Sequence, residues 1–222
     1  MTFAIVLTFA IVLFGWIFSL CLHEFSHALV AYYGGDYTVR EKGYLTFNPL
    51  KYTHPIYSLL FPMIFLLMGG IGLPGGAVYI ETWRLKNRYW VSAVSLAGPM
   101  SNLLLAVVLA VVFYFMPATD AGIWPGLAFL ARLQIIAVVL NLLPIPPLDG
   151  YGIIAPFLDY NIRERANQFA GVGIWILLLL MWYVPFINFL FWGFVDVIIH
   201  LIGIPLHLAN LGLIQFMFWR RF

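Results

Sequence analysis

Apolar residues run through positions 3–22 with only Thr8 and Ser19 as hydroxyl-bearing interruptions, a length that crosses a bilayer as one helix. Further apolar stretches occupy 55–71, 91–116, 123–143, 171–186 and 189–218. Between them, residues 34–54, 74–90, 117–122 and 144–170 carry the glycines, prolines and charges that end helices and make loops. The pattern predicts an all-α polytopic membrane protein with five to six transmembrane helices. The start of the chain has no basic n-region and no small-residue cleavage site, so 1–22 reads as a retained helix rather than a signal peptide. No internal repeat or low-complexity linker appears, and 1–222 reads as a single membrane-embedded domain, with a core of about 1–152 and accessory C-terminal helices at about 171–219.

Composition agrees: of 222 residues 64% are hydrophobic and 9% charged, too few charges to coat a soluble globule. Mean hydropathy is +0.98. One cysteine, Cys21, excludes an internal disulfide framework, and eleven dispersed basic residues exclude a nucleic-acid surface. The basic residues instead set topology. Arg40, Lys42 and Lys51 precede the 55–71 stretch and Arg84, Lys86 and Arg88 follow it, so both flanks belong on one side and 55–71, interrupted by Pro62, is expected to be re-entrant. With Arg163, Arg165, Arg220 and Arg221 this places ten of the eleven basic residues in the cytoplasm, leaving Arg132 inside its helix. The N-terminus is then expected outside and the C-terminus in the cytoplasm. Arg132 is expected to snorkel outward toward Asp120.

The chemistry sits at the end of the first apolar run, where His23-Glu24-Phe25-Ser26-His27 matches H-E-x-x-H. Helical spacing puts His23 and His27 on one face, so two imidazoles share one zinc ion while Glu24 reaches a water as general base. Ionisable residues in a membrane helix are costly and by default functional. A catalytic zinc takes a third protein ligand, and Asp149 is the candidate: Pro144, Pro146 and Pro147 stop the preceding helix and Gly150 permits a tight turn. Zinc with ionised Asp149 and Glu24 is formally neutral, which lowers the cost of an ion at membrane depth. Asp196, His200 and His207 share the last apolar run and read as interhelical hydrogen-bonding groups; His54 reads as an interfacial histidine. Gly98 reads as a close-packing position.

These residues resemble the site-2 proteases, intramembrane zinc metalloproteases. HEFSH matches that family's zinc motif, the run Asn141-Leu-Leu-Pro-Ile-Pro-Pro-Leu-Asp149-Gly150 its second motif, and Ala97-Gly98-Pro99-Met100-Ser101-Asn102 the start of its core helix. The likeness extends to about Gly152, and Gly43-Tyr-Leu-Thr-Phe-Asn-Pro-Leu-Lys51 is similar to the compact bacterial and archaeal type, which lacks PDZ and CBS modules. Tyr52 and His54 stand where that type carries His and Asp. The resemblance implies one Zn2+ per chain on His23, His27 and Asp149, Glu24 activating water, and Asn141 steadying the scissile carbonyl or its oxyanion. It also implies a transmembrane-helix protein substrate in the lipid bilayer, and the basic-residue topology, with the depth of His23 and Asp149 along their segments, places cleavage near the cytoplasmic face.

A substrate helix must unwind to be cut, and its freed amides need partners in lipid. Residues 77–82, Ala77-Val-Tyr-Ile-Glu-Thr82, have strand-like composition and are expected to form a small membrane-embedded β element that pairs with the substrate. The rival function is a membrane metal-binding protein or transporter using the same ligands without hydrolysis. For that reading Glu24 is dispensable, and paired broken helices or an internal repeat are expected. Substrate identity and oligomeric state are not encoded in these motifs.

Overall fold

The computed structural model of the chain describes residues 3–52, 61–69 and 78–221. They form α1 (Phe3–Gly34), the short α2 (Thr38–Glu41), α3 (Phe61–Gly69), α4 (Arg88–Phe115), α5 (Trp124–Asn141), α6 (Asp149–Ile154), α7 (Tyr160–Gln168), α8 (Gly173–Tyr183), α9 (Pro185–Ile202) and α10 (Leu206–Phe216). By length and composition α1, α4, α5 and α9 can cross a membrane, and α7 with α8 makes a fifth candidate bent by 67°. At 1.5 Å per residue the 32 residues of α1 extend about 48 Å, more than the roughly 30 Å of hydrocarbon.

Three expectations change. Among the described residues there is no strand: Val78–Glu81 has no regular structure and Thr82–Arg84 is a 3-10 turn, while Ala77 lies outside the described residues. The apolar run 189–218 is not one helix, because Gly203, at φ +80°, closes α9 and Pro205 cannot continue it. Of the re-entrant stretch expected at 55–71, only the nine-residue α3 is described, and His54 also lies outside the described residues.

Helix α5 is the centre of the bundle, packed by α1, α4, α9 and α10. Lipid offers no hydrophobic drive for helices to associate, so small residues that let backbones approach do this work. A Cβ on Gly15 would fall 2.4 Å from Leu130, and one on Gly212 2.0 Å from the Pro125 carbonyl. Thr8 Oγ1 donates to Gln215 Oε1 at 2.6 Å, tying α1 to α10. Phe216 stacks on Phe9 with centroids 5.3 Å apart, and Trp219 packs edge-on to it. The last turn of the chain therefore sits beside Phe9, about 21 Å along α1 from His23. Charge placement alone had put Arg220 and the first residues of α1 at opposite ends.

Candidate metal centre

Helix α1 runs through the His-Glu-His motif without a break, so the one-turn offset brings His23 and His27 together with their Nε2 atoms 3.0 Å apart. Both are buried, as is Glu24 at 4% exposure. Asp149 is the first residue of α6, a helix folded back on the end of α5. Only glycine fits next in the chain, since a Cβ on Gly150 would lie 2.2 Å from the Leu142 carbonyl oxygen. The fold-back brings Asp149 Oδ2 to 3.2 Å from His23 Nε2 and Oδ1 to 3.4 Å from His27 Nε2.

Helix α4 holds this arrangement from behind. His27 Nδ1 donates to the Val94 carbonyl at 2.6 Å, which leaves Nε2 as the unprotonated nitrogen. His23 Nδ1 bonds Asn102 Oδ1 at 2.6 Å; Asn102 Nδ2 donates to Gln134 Oε1 at 2.7 Å, and Gln134 Nε2 donates to the Leu130 carbonyl at 3.4 Å. The terminal carbonyl can only accept, so the direction of every bond in the relay follows, and His23 too presents a bare Nε2. Gly98 passes over both rings, and Ser92 Oγ donates to the Ile153 carbonyl, holding α6.

These residues fit a zinc ion. A neutral imidazole that donates through Nδ1 offers its Nε2 lone pair, so His23 and His27 present two nitrogen donors side by side, and the carboxylate beside them adds charge of the right sign. Tetrahedral ligands at zinc bond lengths stand about 3.3 Å from one another. The three residues' ligand atoms lie within 4.8 Å, and the closest pairs fall between 3.0 and 3.4 Å.

Two other predicted residues are placed less directly. Glu24 Oε2 accepts the Val78 N–H at 3.1 Å, which sets its carboxylate beside the 78–81 segment. Asn141, 3% exposed, ends α5 at the corner with α6, and its amide has no partner among the described residues. Sequence reasoning noted Asn102 only as a motif letter and did not single out Gln134 or the Val94 carbonyl. Polar residues facing inward on neighbouring apolar helices were the available signal. Asn102→Ala should weaken zinc binding about 10- to 100-fold, as loss of such supporting bonds does, in a titration against a competing chelator. Unchanged affinity would show that the relay does not orient His23.

Arg132 does not reach Asp120. It donates to Asn210 Oδ1 at 2.6 Å and lies 3.6 Å from Asp196, while Asp120 lies 3.6 Å from His207. Asp196 and His207 thus make interhelical or helix-to-loop contacts remote from the cluster.

The chain matches the family model described as Peptidase family M50 over residues 8–119. It is 45% identical over 215 residues to "Putative zinc metalloprotease Rip2" of Mycobacterium tuberculosis H37Rv, covering 95% of this chain and 81% of that protein. The Mycolicibacterium smegmatis protein of the same name is 44% identical over 212 residues, with the same coverage. "Putative zinc metalloprotease YwhC" of Bacillus subtilis is 33% identical over 184 residues, covering 79% of this chain and 81% of that protein. No solved structure matches the chain. The family match falls on α1 and α4, the two helices that carry and orient the histidines, and the relatives span nearly the whole length: the chain belongs to peptidase family M50.

Proposed function

We propose that the chain is a zinc-dependent intramembrane endopeptidase that hydrolyses a peptide bond in or beside a transmembrane helix of a protein substrate. The observation that carries this reading is the convergence of His23 Nε2, His27 Nε2 and the Asp149 carboxylate inside a membrane bundle, with Glu24 one residue from His23. His23, His27 and Asp149 hold one zinc ion. When bound, the ion supplies a Lewis acid that polarises a carbonyl and makes water acidic near neutrality. Glu24 takes the proton from the attacking water and returns it to the departing amine. The Asn141 amide donates to the oxygen on which charge develops.

The substrate must offer extended backbone beside Glu24. Among the described residues nothing pairs with the N–H groups of Tyr79 and Ile80 or the carbonyls of Val78 and Ile80, so the 78–81 segment offers hydrogen-bonding groups to an unwound peptide. This supports the small β element as a structure completed by substrate. The basic loops around Arg40 and Arg84 support a cluster near the cytoplasmic face, and the packing of α10 against the start of α1 favours a C-terminal turn on the outer side. Residues 1–152 hold all the proposed site residues, with the C-terminal helices as accessories.

Purified chain in detergent should cleave single-span model substrates, stop when a chelator removes the metal and resume when zinc is restored. Zinc bound stoichiometrically with cleavage of no substrate would sink the peptidase reading for this chain.

A further inference from the structure

The 78–81 segment is held at two points, one on α1 and one on the turn just beyond it, and both holders are carboxylates. Glu24 takes the Val78 N–H at 3.1 Å, and Asp36, twelve positions further along, takes the Glu81 N–H on Oδ2 at 2.7 Å. Asp36 is fully buried, just beyond α1, where Gly35 at φ +118° turns the chain. Its other oxygen accepts the Thr38 N–H at 3.1 Å and the Thr38 hydroxyl at 2.6 Å. That half is a local turn, and asparagine or serine would make it equally well. A fully buried carboxylate is a costly way to close a turn, so its second oxygen calls for a separate explanation.

That second oxygen reaches across 45 residues of sequence to the segment beside Glu24. Lys42 reinforces the same place, donating to Glu81 Oε1 at 2.8 Å and to the Tyr79 carbonyl at 3.4 Å. Hydrogen bonds from Lys42 and Arg84 hold the Glu81 carboxyl below its ordinary range, so it stays ionised against them. One end of the segment is thus pinned to the proposed general base and the other to Asp36. The four residues between pins extend about 10 Å, enough for one unwound stretch of peptide.

We propose that Asp36 is a positioning residue of the reaction: by fixing the Glu81 amide it sets the register of the 78–81 segment, and so which peptide bond of the substrate lies against Glu24. This rests on the peptidase reading above. A charged hydrogen bond through a buried oxygen gives the pin its stiffness. Without it Val78 is the one amide of the segment still held, and the contacts of the long Lys42 side chain to the Tyr79 carbonyl and the Glu81 carboxylate are too pliant to stop it sliding or tilting; a sliding template presents neighbouring bonds in turn.

The test compares wild type, Asp36→Asn and Asp36→Ser, each purified with its zinc content and thermal midpoint measured, on one single-span substrate whose products are read by mass spectrometry. Asparagine keeps the Thr38 turn but faces the Glu81 N–H with a second donor; serine keeps the turn and reaches nothing further. Both should retain zinc and stability, raise KM about tenfold or more with a smaller change in kcat, and cut at bonds adjacent to the wild-type one. Cleavage at the single wild-type bond with wild-type KM overturns the proposal. So does loss of zinc or stability that accounts for the whole loss of rate, because Asp36 is then a folding residue. Failure of wild type itself to cut removes the peptidase reading instead, and the two failures are told apart in the same experiment.

Discussion

Glu24→Gln should keep its zinc and lose cleavage by about a thousandfold, the middle of the range for removing a positioned general base. The glutamine is isosteric, and its amide oxygen can still accept the Val78 N–H that Glu24 Oε2 accepts at 3.1 Å, so the fold has no reason to change. Neither the His23–Asn102 bond nor the His27–Val94 bond involves position 24, and the metal ligands stay where they are. What is lost is basicity alone: an amide cannot take a proton from water. Zinc stoichiometry and turnover measured on one preparation decide the matter. A variant with full zinc and more than a tenth of the wild-type rate would remove Glu24 from the mechanism.

Gly98→Ala should severely weaken metal binding and, with it, activity. A Cβ at this position would stand 2.3 Å from His27 Nε2 and 2.5 Å from His23 Nε2, inside the distance any real contact allows. The rings cannot retreat, because both are fastened by Nδ1 to α4, the helix that carries the glycine. Either the imidazoles swing off their bonds or α4 moves away, and each outcome separates the ligand atoms. Zinc affinity should fall by about a hundredfold or more, with about 1–3 kcal/mol of stability lost to overpacking. Gly193→Ala, where an added methyl meets nothing within 4 Å, is the control and should leave both unchanged. Normal zinc content in Gly98→Ala would mean that α4 does not lie over the histidines.

The cluster of His23, His27 and Asp149 was legible in the sequence because its geometry is local or chemically rare. His23 and His27 are one helical turn apart, and Asp149 stands among prolines that leave the chain no choice but to turn. The supporting shell was not legible, because Asn102 meets His23 across 79 positions and Asp36 meets Glu81 across 45, and nothing in a linear pattern pairs them. The long helices followed from hydropathy, whereas the split at 203–205 was missed although Gly203 and Pro205 are ordinary stop signals, because apolar side chains continue on both sides. Arg132 was matched to the wrong acid for a related reason: Asp120 is nearer in sequence, but α9 lies against α5 and brings Asp196 to it. For residues 78–81 strand-like composition was real, yet the Val78 and Glu81 amides go to carboxylates of the α1 region and, among the described residues, none pairs with a neighbouring strand.

The ligand set is split along the chain: both histidines arrive with the first helix, and Asp149 follows 122 residues after His27, at the start of α6. At ordinary rates of synthesis that gap is about ten seconds. During it the newborn chain carries a base and two imidazoles but lacks its anionic ligand. The proposed hydrolytic centre therefore cannot assemble until α6 has been made, after most of the bundle.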